Sequence, residues 1–134
     1  KLNDMEKEKY NEITGMILQA AINVHKEMGP GLLEVVYEYC LCKELHLLGF
    51  NAVNQHMLPL IYKGENLNKD FRIDILVENE ILIEIKAVEN ILPVHEAQII
   101  SYLKMSNLKI VLLINFNVPV IKQGFRRFVN GFPG

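Results

Sequence analysis

Two apolar runs dominate the hydrophobic pattern. Phe71-Arg72-Ile73-Asp74-Ile75-Leu76-Val77 and Ile81-Leu82-Ile83-Glu84-Ile85-Lys86-Ala87 flank the polar triplet Glu78-Asn79-Glu80. Runs rich in β-branched residues, joined by a short polar turn, predict a β-hairpin. A further run, Ile110 to Ile114, is continuous and predicts a strand covered on both faces. Helical spacing precedes the hairpin. Ile13, Ile17, Ala20, Ala21 and Val24 form a stripe that predicts a helix over about 11–27, and Met28-Gly29-Pro30-Gly31 ends it. A second helix is predicted over about 32–48. Leu33, Val36, Tyr37, Cys40, Leu41, Glu44, Leu45 and Leu48 mark its buried side, and Gly49 ends it. Segments 50–55 and 58–63 predict two strands, with Pro59 marking an edge or a bend. Pro93 suits the first turn of a third helix reaching about Met105. A short last strand is predicted near 124–129.

The strand-helix-strand order places the Ile110 strand beside the Glu84 strand, parallel to it, through a right-handed crossover. The pattern therefore predicts an α/β fold: a central mixed sheet flanked by helices, the first two packed on one side. The 134 residues, 50% hydrophobic and 22% charged, suit one globular domain. Residues 11–134 are expected to form it, with 1–10 an N-terminal extension, disordered or foreign to the natural chain. No apolar run approaches the roughly 20 residues of a membrane span, and the charged start lacks a signal-peptide centre.

Cys40 and Cys42, two apart on a helix, point in different directions. They support neither a disulfide scaffold nor a zinc site, which favours a reducing cytoplasm. A net charge of -2 lacks the basic excess of many nucleic-acid binders. Contact with phosphate would need a local patch, and any carboxylates there would need metal.

The candidate chemistry lies inside the hairpin. Charges in strands this apolar are costly unless paired or bound to metal. Glu84 and Lys86, two apart, share a face, while Ile85 points away and leaves its carbonyl available. With Asp74 on the neighbouring strand, two carboxylates and an ammonium converge. Carboxylate and carbonyl oxygens are the hard ligands that Mg²⁺ or Mn²⁺ prefers. A structural ion pair between Lys86 and an acid accounts for the same residues equally well. Glu34 opens the second helix, where the helix dipole alone explains an acid. Gln98 and Tyr102, four apart, share a face of the third helix. A polar helix surface with a half-buried aromatic explains them equally.

Taken in order, these features form a set: an acid on an early helix, an Asp in a strand, Glu-x-Lys in the next strand, and Gln-x-x-x-Tyr on the helix after it. The set resembles the RecB-like branch of the PD-(D/E)XK nuclease superfamily. Gly31-Leu32-Leu33-Glu34-Val35-Val36-Tyr37 also fits Gly-x-x-Glu-x-x-Tyr, the pattern of the GxxExxY proteins, a small prokaryotic family placed in that superfamily. The resemblance runs from about His25 to Arg127. It implies a restriction-endonuclease-like core and metal-dependent hydrolysis of phosphodiester bonds, with DNA ends or single strands as substrate. Glu34, Asp74, Glu84 and the Ile85 carbonyl would hold Mg²⁺ or Mn²⁺. Lys86 would position the attacking water and stabilise charge on the phosphate. Gln98 and Tyr102 would orient the substrate or the metal shell, with Tyr37 also on the substrate side. Arg72, two before Asp74, would pair with it or contact phosphate. His25 would be an accessory site histidine. No proline precedes Asp74, unlike the motif that names the superfamily. The competing function is a non-catalytic nucleic-acid or protein-binding module on the same fold, acting through a protein partner. Joint presence of Glu34, Asp74, Glu84 and Lys86 favours the enzyme. A purely structural role, with the acids in ion pairs, has to explain four ordered motifs by accident.

Overall fold

The computed structural model describes residues 2–129. Helix α1 (Asp4–Met28) starts at a capping box: the Asn3 side chain accepts from the Glu6 N–H, and Glu6 reaches back to the Asn3 N–H. It therefore begins about two turns before the apolar stripe predicts. Residues 4–10, expected as an extension, are its first turns, and Leu2 and Tyr10 are buried in the core. Lys1, and residues 130–134 of the expected domain, lie outside the described residues. The stripe itself faces inward, with Ile17, Ala20, Ala21 and Val24 buried.

The turn to α2 (Glu34–Leu47) passes through Gly29 at φ 69° and Gly31 at φ 94°, a backbone region that favours glycine. Tyr37 ties this turn down. Its hydroxyl donates to the Gly29 carbonyl (2.5 Å) and accepts from the Leu32 N–H (3.1 Å). Its ring stacks on Phe116 with centroids 4.5 Å apart. Tyr37 is fully buried, so the substrate contact expected of it is corrected to a structural clamp. Tyr37→Phe leaves both backbone groups unpaired, and its expected cost is about 1–3 kcal/mol. The measurement is a lower urea midpoint at unchanged slope. The buried stripe of α2 is narrower than predicted. Tyr37, Leu41 and Leu45 fill it, whereas Leu33 and Leu48 are exposed and Glu38 is buried.

Five strands follow: β1 (Ala52–Tyr62), β2 (Glu65–Val77), β3 (Ile81–Lys86), β4 (Ile110–Asn115) and β5 (Phe125–Val129). Helix α3 (Pro93–Ser106) separates β3 from β4. The sheet order is β1-β2-β3-β4-β5, with β3 and β4 parallel and the other neighbours antiparallel. The hairpin turns through Glu78 (φ 54°) and Asn79 (φ 55°), the positive φ pair that a primed turn requires. Segment 50–63 yields one long edge strand rather than two. Pro59 is tolerated because it lies on the edge, where the register also shifts.

The sheet is the mixed, helix-flanked layer that the pattern predicts. Ile75, Ile83, Ile85, Leu112 and Ile114 pack with α1 and α2 on one side. Leu76, Leu82, Val111 and Leu113 pack with Ile99, Tyr102 and Leu103 of α3 on the other. Strand β5 joins both layers: Arg126 pairs with Glu96 on α3, and Arg127 donates to Asn11 on α1 (2.6 Å). Gly124, just before β5, allows a close approach. A Cβ there would stand 2.1 Å from the Asn115 carbonyl oxygen.

Candidate active site

The β2–β3 ladder is short. It pairs Val77 with Ile81, Leu76 with Leu82 and Ile75 with Ile83, then stops where Asp74 would face Glu84. Side chains replace the ladder there. Asp74 Oδ2 accepts from the Ile85 N–H at 2.7 Å, and Glu84 Oε1 accepts from the Asp74 N–H at 3.4 Å. The alternation of β2 breaks at the same place. Phe71 stacks on Tyr102, and Ile73 joins the α3 side, yet Ile75 joins the α1–α2 side and Leu76 returns to α3. Residues two apart on a regular strand share a face. The strand thus turns over at Asp74, and its carboxylate reaches along the sheet towards β3 rather than out of it.

The two strands part at this point, and polar groups line the split. The Lys86 carbonyl accepts from the Phe116 N–H on the β4 side (2.9 Å). Carbonyls alternate in direction along a strand, so the Ile85 carbonyl faces the β2 side, where the ladder has ended. Lys86 follows Glu84 on its face and is half-buried. Asn115, buried at the end of β4, fixes the chain leaving β3. Its side chain accepts from the Val88 N–H (3.1 Å) and donates to the Val88 carbonyl (2.8 Å).

The electrostatics of the split are unfavourable to its own charges. Burial pushes Asp74 up to about 6; the Ile85 N–H opposes this, Glu38 and Glu34 add to it, and Lys86 offsets part. Burial also pushes Glu84 up to about 8, with the Asp74 charge next and Lys86 opposing. Tyr102 is raised to about 12, first by burial and then by the charges of Glu84 and Asp74. Glu34 is exposed in the first turn of α2, yet its charge acts on both acids. It therefore stands on the side of the split that α2 covers.

Do these residues suit a divalent cation? Among the described residues, no three His, Cys, Asp or Glu side chains are gathered closely enough to hold a metal by themselves. Asp74 and Glu84 each give one oxygen to a backbone N–H and keep the other. The Ile85 carbonyl would offer a third hard donor, whereas Glu34, exposed on α2, does not join the two acids in one cluster and reaches them only through its charge. A half-buried Asp74 and a buried Glu84 whose charged forms are disfavoured, beside a carbonyl, match what Mg²⁺ or Mn²⁺ binds. The donor set fits.

The other expected residues separate. Tyr102 reaches the acids electrostatically, but its ring is buried against Phe71, with centroids 5.2 Å apart. Gln98, one turn earlier on α3, is exposed. Arg72 is exposed opposite Met57, and among the described residues no ion pair joins it to Asp74, so the expected pairing is corrected. His25 turns to the loop after β4, where Nε2 lies 2.9 Å from the Val118 carbonyl. A carbonyl only accepts, so that nitrogen carries the proton and is not free to ligate. His95, on the same helix as Gln98, caps the start of α3, its Nδ1 accepting from the Leu92 N–H (3.0 Å).

Three residues escaped the sequence reading. Glu38 is 5% exposed and accepts from Asn54 Nδ2 (3.3 Å) and Gln55 Nε2 (2.5 Å). Its signal was its place four residues after Glu34, on the same helical face. Asn115, a polar residue closing an apolar run, was visible in the same way. Gln55 adopts φ 54° in mid-strand, and nothing local in the sequence announces that.

A family model described as the PD-(D/E)XK nuclease superfamily matches residues 11–128. No curated protein and no solved structure matches the chain.

Proposed function

The chain belongs to the PD-(D/E)XK nuclease superfamily, and from that premise we propose that it is a metal-dependent nuclease acting on DNA, at ends or on single strands. Members of this superfamily typically use divalent metals such as Mg²⁺. The observation that carries the reading is the split between β2 and β3, with the half-buried Asp74 and buried Glu84 carboxylates, a carbonyl and Lys86 around it. Asp74, Glu84 and the Ile85 carbonyl would hold Mg²⁺ or Mn²⁺, with Glu34 completing the set from α2. When bound, such a cation supplies acidification of water and neutralisation of phosphate charge. Lys86 adds a positive charge where negative charge develops on the phosphate, and holds the attacking water by hydrogen bonding. Gln98 lies open to substrate on α3, and Tyr102 shapes the wall beneath it. The exposed Arg72 is free to meet phosphate. Gly31 to Tyr37, and Gln98 with Tyr102, support placement near the GxxExxY proteins in the RecB-like branch. Among the described residues no helix is long and apolar enough to cross a membrane. The free Cys40 and Cys42 suit a reducing cytoplasm.

A nuclease assay on single- and double-stranded DNA, with Mg²⁺ or Mn²⁺ and beside Lys86→Ala, tests this. The wild type is expected to cleave. Lys86→Ala is expected to lose about 10²–10³-fold, the scale for removing one preorganised charge-stabilising group. Tight DNA binding without cleavage in either metal would instead favour the non-catalytic module.

A further inference from the structure

Glu38 stands outside the donor set, yet the residue is only 5% exposed and no lysine or arginine is paired to it among the described residues. Its partners are the side-chain amides of Asn54 and Gln55, two consecutive residues of edge strand β1. Consecutive side chains of a regular strand point to opposite faces. Both can reach one carboxylate only if the strand breaks between them, and Gln55 does break it, at φ 54°. A left-handed conformation is unfavourable for glutamine and persists only where its surroundings enforce it. In that conformation Gln55 Nε2 donates to Glu38 Oε1 at 2.5 Å.

The position of the break is informative. Asn54 pairs with Ile75 and His56 with Ile73, so Gln55 stands across from Asp74. The irregularities in β1 and β2 therefore face each other. A regular ladder would send the Asp74 side chain out of the sheet, away from the Ile85 N–H.

We infer that Glu38 and Gln55 are positioning residues: the bond between them holds β1 in the broken conformation that lets the Asp74 carboxylate turn along the sheet and take the Ile85 N–H. Neither touches substrate. Only the kinetic part of the inference rests on the nuclease reading.

The test compares Glu38→Ala, Glu38→Gln and Gln55→Gly in the full chain. Glu38→Gln keeps an oxygen to accept from Gln55. Gln55→Gly tolerates the same φ but loses the donor. Amide hydrogen exchange at Ile85 is read by NMR without metal, with Val111 and Leu113 in the β3–β4 ladder as internal references. Relative to them, Ile85 is expected to exchange at least about 10-fold faster in Glu38→Ala and Gln55→Gly, and to stay near wild type in Glu38→Gln. Turnover on DNA with Mn²⁺ should fall about 10- to 100-fold in the first two variants, the usual scale for groups supporting a metal site, at unchanged KM. Glu38→Gln should restore it. Unchanged Ile85 exchange in Gln55→Gly overturns the inference even if Glu38→Ala fails to fold. So does a Glu38→Gln variant as impaired as Glu38→Ala that a second substitution, Asn54→Ala, does not rescue. Asn54→Ala removes the amide donor facing the new side-chain nitrogen, so charge rather than the hydrogen bond would then be acting. If Ile85 responds as expected but the wild type cleaves nothing, the positioning role stands and the nuclease reading falls.

Discussion

Glu84→Gln is expected to lower DNA cleavage by at least about 10³-fold and, at the same time, to stabilise the metal-free protein at pH 8.5. The first effect follows from losing a ligand of the proposed cation, which should cost more than the loss of about 10–100-fold typical of groups that only support such a ligand. The second follows from burial. Glu84 is 5% exposed and holds its proton up to about 8, because burial and then the Asp74 charge disfavour the carboxylate. The unfolded chain releases that proton near the ordinary value of 4.5. Above pH 8 the folded state must therefore carry a charge that the unfolded state carries more easily. Each unit of raised pKa corresponds to about 1.4 kcal/mol. Glutamine never ionises, and its Oε1 still accepts from the Asp74 N–H. A gain on the order of 3 kcal/mol at pH 8.5 is expected, read by urea unfolding of both proteins without metal. A variant less stable than the wild type at that pH would mean that Glu84 is held by a stabilising ion pair. The structural reading of the acids would then replace the catalytic one.

The sheet was legible because its signals are periodic and long. Ile110 to Ile114 is apolar at every position, and β4 is covered on both faces. The hairpin announced itself by two β-branched runs around a polar triplet, and Ile13 to Val24 by helical spacing. What failed were boundaries set by polar chemistry. The start of α1 depends on Asn3 and Glu6, a capping box within a charged stretch that carries no apolar stripe. The width of the buried face of α2 was overestimated, because Leu33 and Leu48 are apolar yet lie at helix ends that the sheet does not cover.

The site divides in the same way. Asp74, Glu84 and Lys86 stood out because charge inside an apolar strand is conspicuous. Adjacency of the strands then brought the acids together without further information. The turn of Asp74 into the plane of the sheet was not legible. It depends on Gln55 and Glu38, which lie 19 and 36 residues earlier in the chain and meet only in three dimensions. Tyr37 shows the reverse error. A motif position invited a functional role, whereas its hydroxyl is spent on the Gly29–Leu32 turn. Sequence spacing reports which residues share a face; it does not report which hydrogen bonds already occupy them.

Stability of the wild type without metal is expected to fall as pH rises from about 4 to about 8, and Mn²⁺ is expected to restore it only towards the upper end. The sign follows from the raised values. Asp74 moves from 3.8 to about 6, and Glu84 from 4.5 to about 8. Between the unfolded and folded values the folded state binds more protons than the unfolded one, so stability decreases with pH across that window. At pH 5 the pair still holds protons in the folded state, and a cation must displace them to bind. At pH 8 Asp74 has released its proton and Glu84 about half of its own, so less proton remains to be displaced and the two carboxylates repel each other more strongly. Mn²⁺ at about 100 times its dissociation constant then contributes about 2.7 kcal/mol through selective binding to the folded state. Thermal melts at pH 5, 6.5 and 8, each with and without Mn²⁺, read both effects in one experiment. The Mn²⁺-dependent shift should grow with pH in the wild type, disappear in Asp74→Ala, and survive in reduced form in Lys86→Ala, which removes a charge but no ligand. In that last variant the metal-free protein should lose stability most at pH 8, where both acids carry more charge and Lys86 opposes it. A melting temperature that ignores Mn²⁺ at every pH, together with a sharp loss of metal-free stability in Asp74→Ala, would place the acids in a structural ion-pair network and remove the cation from the account of this site.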